Sequence, residues 1–535
     1  MPMHAPIARA GRRRVKLVAT AALVTLAASI AAATAGARTT AGSLVVNAAT
    51  PPNSLDTVQI CSLDDISLVA PLYATLVKHG RKPGREDQSK FVPYLAKSWT
   101  ITNGAKTYTF DLVPGAKFPN GDPQDAAAVK YTFERALKSG ACGSYFATAG
   151  QGASLIKSIT TPSPTRVVVQ LSRPEALFLH SMTTPDMGIV NPKVVEANGG
   201  QEEGKPNPWM AKNSAGGGPF VLKSYDPGRQ IVFEANKTFF GKPPKVDQIT
   251  VNFITSDPTL LLQARQGKAD ITFGLTKKSV ASLKGNPAVE IVSSPSAAWQ
   301  LISFPNKVAP FDNPKLREAL SYAVPYQEIL KNVAYGYGTL YFGPYSPAMP
   351  AFNPAIAKPR VFNLAKAKQL LAASGVQTPI TLDLLIRDGI NDQEQIATIV
   401  QNIWKQLGVE VNIKKLAAAE YTAQLPLETK TFSLIRFDGP GVEDPAWLLD
   451  YDLRAKSAFN TSNYANATAE KLLDKAHVTA DDAARQKLWD QIARIWIKDT
   501  PRIPLYQDNY TVVLKKGVKG YIYGKVDWNM QDWSK

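Results

Sequence analysis

The sequence predicts a multi-lobed α/β or α+β protein, and three observations carry that expectation. Strand-like and helix-like segments alternate along the chain with no tandem repeat. The 535 residues correspond to three or four domain-sized units at about 150 residues each. Hydrophobic residues make up 44% and charged residues 20%, a globular balance that supports sizeable cores and excludes a disordered chain. Two cysteines exclude a disulfide-dense scaffold or a Cys-rich metal domain.

The elements follow in order. Tyr108, Phe110 and Leu112 alternate with polar residues, the period of a half-buried strand. Asp122-Pro123 then provides a cap and a first-turn proline, and Val129, Phe133, Ala136 and Leu137 fall on one helical face. Residues 166–171 read as a buried strand, and Ile249, Val251 and Phe253 alternate in another. Asn313-Pro314 opens a helix with Leu316, Ala319, Leu320 and Ala323 inside, and Pro325 should end or kink it. Asn363 caps a further helix that Gly375 stops. Ile396, Ile399, Val400, Ile403 and Leu407 form one more face, ended by Gly408 and followed by the strand Val409–Ile413. A last helix carries Leu488, Ile492, Ile495 and Trp496. Turn-rich stretches at Gly80–Gly84, Gly199–Gly218, Pro295 and Tyr335–Pro359 mark expected seams, the last too aromatic for a flexible linker.

Residues 1–37 hold Arg9, Arg12, Arg13, Arg14 and Lys16 but no acid. An uncharged, Ala-rich run from Leu17 to Ala33 and the small-x-small Ala35-Gly36-Ala37 follow. That order is the one of a cleaved secretory signal. The rival is a membrane anchor, for which an Ala-rich run of about 17 residues is short and weakly apolar. The Arg pair before Val15 hints at twin-arginine export. No cysteine stands near the cleavage site, so a soluble exported protein without a lipid anchor is expected. Loss of five basic residues takes the net charge from +17 to +12. In an oxidising compartment Cys61 and Cys142 are expected to pair, the alternative being two buried free thiols.

His79, His180 and His477 are far apart in sequence, lack metal-ligand spacing and read as surface or packing residues. Walker A, H-E-x-x-H and G-x-S-x-G patterns are absent, and Gly336-Tyr337-Gly338 reads as a turn. Ser154-Leu155-Ile156-Lys157 matches S-x-x-K without its companion motifs. No cofactor or metal is expected. The one dense basic cluster lies in the signal, so a nucleic-acid partner is not expected either.

Five segments together resemble the extracytoplasmic solute-binding proteins of ABC importers, of the peptide/nickel-binding family. The first runs from Leu95-Ala96-Lys97-Ser98-Trp99 through Lys117-Phe118-Pro119-Asn120-Gly121-Asp122-Pro123 to Phe133-Glu134-Arg135-Ala136-Leu137. The second joins Gly217-Gly218-Pro219-Phe220 to the segment Asn236–Gly241. The third covers Gln263–Ile271. The fourth joins Pro310-Phe311-Asp312 to Leu316-Arg317-Glu318-Ala319-Leu320. The fifth joins Pro501-Arg502-Ile503-Pro504-Leu505-Tyr506 to Val518-Lys519-Gly520-Tyr521.

The resemblance implies an α/β, two-lobed periplasmic-binding-protein-like fold with an extra domain on lobe I and the ligand in the interlobe cleft. Lobe I would be 41–79, 192–294 and 510–535, the extra domain 80–191, and lobe II 295–509. It implies a monomeric, non-enzymatic receptor that captures a peptide-like solute by hinge closure and delivers it to a membrane permease. Sugars and metal chelates are alternative ligands, and a secreted enzyme or an exported chaperone the rivals from other classes. Peptide binders of the family hold the ligand's amino group with an Asp where this chain has Gly441; that anchor is absent or moved to Asp438, Glu443 or Asp444. The candidate cleft residues are Trp299, Asn306, Tyr345, Arg387, Arg436, Asp438 and Trp447. Aromatics there would stack on a ligand face and arginines would clamp a carboxylate. Trp299 and Trp447 as core residues, Arg436 as an ion-pair partner and Asp438 as a turn residue are the competing assignments.

Overall fold

Two strands of unusual length run side by side in the largest sheet among the described residues. The computed structural model describes residues 42–535 except 61–62, 151, 427–429, 441, 458–459, 480 and 526. The expected signal 1–37, Cys61 and Gly441 therefore lie outside the described residues.

In chain order the strands are β1 (Ser43–Ala48), β2 (Val77–Lys82), β3 (Arg85–Pro93), β4 (Ala96–Thr102), β5 (Thr107–Leu112), β6 (Ile156–Ser163) and β7 (Arg166–Leu171). There follow β8 (Phe220–Asp226), β9 (Gln230–Ala235), β10 (Gln248–Phe253), β11 (Ile271–Thr272) and β12 (Val289–Ser303). The last are β13 (Gly338–Thr339), β14 (Ile380–Arg387), β15 (Val409–Leu416), β16 (Ser433–Asp438) and β17 (Arg502–Lys515). One sheet has the order β15-β14-β16-β12-β17-β11-β1-β10-β9-β8, with β13 attached to β17. β4, β5, β7 and β6 form a separate four-stranded sheet, and β2 and β3 a hairpin.

β12 and β17, of 15 and 14 residues, are antiparallel partners. The first half of β12 meets the second half of β17, which also pairs with β11. The second half of β12 lies between β16 and the start of β17. The ladder slips in register between Pro295 and Trp299. Pro295 has no N–H to give, so it weakens the ladder without ending the strand. The sequence places a break here, and the structure instead places an irregularity inside a continuous strand. Ser296 stitches it: its Oγ donates to the Asp508 carbonyl at 2.8 Å and accepts from the Ala298 N–H at 3.2 Å. Similarly, Gly80–Gly84 lies within the β2–β3 hairpin.

Local capping explains most helices. Asn313 and Asn363 cap Pro314–Tyr322 and Leu364–Ser374 through their side chains, and Gly375 and Gly408 adopt left-handed geometry just past helix ends. One expectation shifts: the helix Ala126–Ser139 is capped by Asp125, whose carboxylate accepts from Ala127 and Ala128, while Asp122 pairs with Lys193 at 2.8 Å. Strand β7, expected to be wholly buried, alternates buried and exposed residues.

Leu44, Val46, Ile249, Val251, Phe273 and Trp528 belong to one apolar core. A larger core is shared between residues of 76–189, such as Phe110 and Phe133, and residues of 297–506, such as Trp404 and Ile492. A buried ion pair ties the β1-following loop to the helix Ala126–Ser139: Arg135 Nη2 is 2.6 Å from Asp56 Oδ2, with both side chains almost fully enclosed. Replacing Arg135 by Ala strands a buried carboxylate and is expected to cost about 3–5 kcal/mol, read as a fall in the urea midpoint. Arg166→Ala, which breaks the solvent-exposed pair with Asp111, should leave that midpoint in place.

Candidate functional site

The loop from β16 into the helix Pro445–Asp452 organises the region that the sequence singles out. Asp444 caps the helix, accepting from the Ala446 N–H at 2.8 Å, and Pro445 occupies the first turn. Gly439 lets the loop close on β12: a Cβ there would stand 2.9 Å from Ala298 Cα.

The structure gathers three of the seven candidates. Trp299 is the cross-strand partner of Asp438, and Arg436 Nη2 lies 3.2 Å from Asp438 Oδ1. Asp438 also accepts from the Gly439 N–H at 2.9 Å, so it has both the ion-pair and the turn contacts. Beside them sit three charged groups outside the candidate set, Lys430, Asp452 and Arg502, the last named only within a family-like segment. Arg502 Nη1 is 2.5 Å from Asp452 Oδ1, both buried. Burial pushes the Asp452 carboxyl up, against the pull of Arg502. Lys430 is buried too; desolvation, then Arg502, Arg436 and Lys307, push its ammonium down to about 8. Trp299, Tyr341, Asp452 and Arg502 wall a void of about 10 Å³.

The remaining candidates lie elsewhere. Asn306 donates its amide to the carbonyls of Phe304, Ser462 and Pro501 at 2.9–3.1 Å, tying three backbone segments. Tyr345 is buried, donates to the Trp489 carbonyl at 3.2 Å and meets the Trp489 ring edge-on. Trp447 is fully buried, stacked on Phe146 at 4.9 Å and edge-on to Tyr145 at 5.1 Å. Arg387, at the end of β14, is exposed, and its guanidinium has no ion-pair partner among the described residues. Cys142 is disulfide-bonded; Cys61 lies outside the described residues.

On the other side of the β16 loop is a cavity of about 470 Å³. Glu175 and His180 line it from one part of the chain, and Asp444, His477, Arg485 and Trp489 from another. The three carboxylates considered as amine anchors are already engaged by arginines. Asp438 pairs with Arg436, Glu443 with Arg85 at 2.6 Å, and Asp444 with Arg485 at 3.2 Å. Glu443 also donates its backbone N–H to Gln88 Oε1 at 2.7 Å.

The histidines correct the sequence reading, which treats them as isolated. His79 Nε2 and His180 Nδ1 are 3.2 Å apart, and His79 Nδ1 is 3.2 Å from Glu86. Burial, then the neighbouring His79, push the His180 imidazole down to about 3. His477 stands between Glu175 Oε1 at 2.9 Å and Asp450, whose oxygens are 3.1 and 3.2 Å away. Burial alone would lower its imidazole; the hydrogen bonds and charges of Asp450 and Glu175 outweigh burial and carry it up to about 9. No short-range pattern in the sequence announces these contacts, because Glu175 and His477 are 302 residues apart.

Two half-sheets sharing long crossing strands, with a walled cavity between chain segments, define a two-lobed α/β receptor. The chain belongs to the bacterial extracellular solute-binding proteins, family 5, whose model matches residues 90–460. These are the solute-binding components of ABC importers. The chain is 28% identical over 486 residues to the probable D,D-dipeptide-binding periplasmic protein DdpA of Escherichia coli K12, covering 90% of this chain and 91% of that one. It is 27% identical over 469 residues to the glutathione-binding protein GsiB of Escherichia coli O6:K15:H31, covering 84% and 86%. The periplasmic binding protein DppA of Helicobacter pylori, solved with the peptide STSA, has the same fold: TM-score 0.78, 22% identity, 92% of this chain and 98% of that one. Family members are binding proteins. Among the described residues no helix is long and apolar enough to cross a membrane.

The imidazole environments make opposite titrations. By NMR, His477 should titrate near pH 9 and His180 should stay neutral at pH 5. Because the His477 value is raised on folding, its stabilisation is complete below about 6.5 and is lost as pH rises through about 9.

Proposed function

We propose that the chain captures a peptide-like solute between its lobes and presents the closed, loaded form to the membrane permease of its importer. The observation that carries this reading is the cavity of about 470 Å³ walled from both 88–180 and 350–489, a volume suited to a small solute. Relatives that bind D,D-dipeptide and glutathione support the peptide-like class.

Closure is a hinge movement. Lobe I comprises 41–79, 192–294 and 510–535, with 80–191 as its added domain, and lobe II comprises 295–509. The slip in register between Pro295 and Trp299, opposite Gln507 and Asn509, supports a hinge at those boundaries. Opening would part the Trp447 ring from Phe146 and the Glu443 carboxylate from Arg85. The chain acts as a soluble, exported monomer and changes no covalent bond in its solute.

Mass spectrometry of solute released from the natively purified protein should find a peptide. Added di- to pentapeptides should raise the melting temperature by mass action, equivalent to about 2.7 kcal/mol at a hundredfold excess over Kd. A released sugar or metal chelate, with no peptide-dependent shift, would overturn the peptide-like class. Recovery of chemically altered solute would overturn the receptor role.

A further inference from the structure

His477 lies in the last turn of the helix Ala467–Val478 and reaches across the seam between the added domain and lobe II. Its backbone carbonyl accepts from the Ala176 N–H at 3.1 Å, and its ring meets Glu175 of the added domain and Asp450 of lobe II. A neutral imidazole has one N–H and one lone pair. Between two ionised carboxylates it can donate to only one, and its lone pair then faces the oxygen of the other. A protonated ring donates to both. The C-terminal end of the helix favours the same cation.

We infer that His477 is a proton-operated clasp: charged, it joins Glu175 to Asp450 and holds the lobes shut beside the cavity, and neutral, it releases them. The inference rests on the reading of 80–191 and 295–509 as bodies that separate on opening. The open form leaves Asp450 beside the ring and takes Glu175 away, so it holds the proton less tightly than the closed form. Closing then takes up a proton, and alkali favours opening.

The other charged or titratable groups around the ring reinforce this. From the added domain, Arg173 pairs with Glu175 at 3.2 Å, and the Leu177 N–H donates to the same carboxylate at 3.1 Å. Tyr108 donates only to the Glu175 backbone carbonyl. Arg454 holds Asp450 at 3.0 Å and also pairs with Asp474 on the clasp's own helix. Arg485, from the next helix, is turned to the Ala476 carbonyl and to Asp444. Both carboxylates are therefore held in place by partners other than the ring, which leaves the imidazole as the group that switches.

Small-angle scattering of the full mature chain across pH 6–10.5, with far-UV circular dichroism to confirm folding, tests this. The radius of gyration should rise through a transition near pH 9. The closed-to-open ratio should fall by up to about tenfold per pH unit as pH rises toward that value, and level off above it. His477→Gln should remove the pH response. Asp450→Asn, which keeps the ring and Glu175, should move the transition down by about one unit or more. A radius that stays flat for the native chain, or an equal response in His477→Gln, overturns the clasp. Peptide-induced melting shifts at pH 7 are read separately: if they persist beside a flat radius, the clasp fails and solute capture stands.

Discussion

The antiparallel pairing of β12 with β17 is the constraint on which the rest of the molecule depends. Each strand belongs to both halves of the long sheet, so the halves are joined through backbone ladders rather than a flexible tether. A ladder resists stretching but yields to twist where its register is broken. The break between Pro295 and Trp299, closed by Ser296 on Asp508, localises that freedom.

The seam opposite that line is held differently. Beside the apolar core that 76–189 share with 297–506, where Trp447 meets Phe146 and Tyr145, it carries discrete polar contacts: Arg85 with Glu443, Gln88 with the Glu443 N–H, and Glu175 with His477. Buried charge pairs add little net stability, since desolvation offsets their attraction, yet they impose a single register on the surfaces they join. The same chemistry makes the seam sensitive to protonation.

Legibility in the sequence followed the range of the interactions. Asn313, Asn363, Gly375 and Gly408 were readable because a cap acts within a turn of its own residue. Pairing of Trp299 with Asp438, and of Arg436 with Asp438, fell in a neighbourhood the sequence pointed to. Asn306 and Tyr345 were expected at the cleft from the crossing strand and the aromatic loop; their donor groups are spent on backbone carbonyls that only the folded chain supplies. Arg502 and Asp452 gave no local sign, since each is charged and becomes a buried partner only through the other.

The sequence by itself determined a mixed α and β architecture and the alternation of its elements, which rest on periodicity and capping, both short-ranged along the chain. The order of its motifs carried the family resemblance, and with it the two-lobed α/β expectation. Only the tertiary structure decided which charges meet. The three histidines outside the signal are remote in sequence, yet two of them lie 3.2 Å apart and the third lies between two carboxylates from different chain segments. Such contacts depend on how the sheet brings distant loops together, and Coulomb and hydrogen-bond forces are felt only once that has happened.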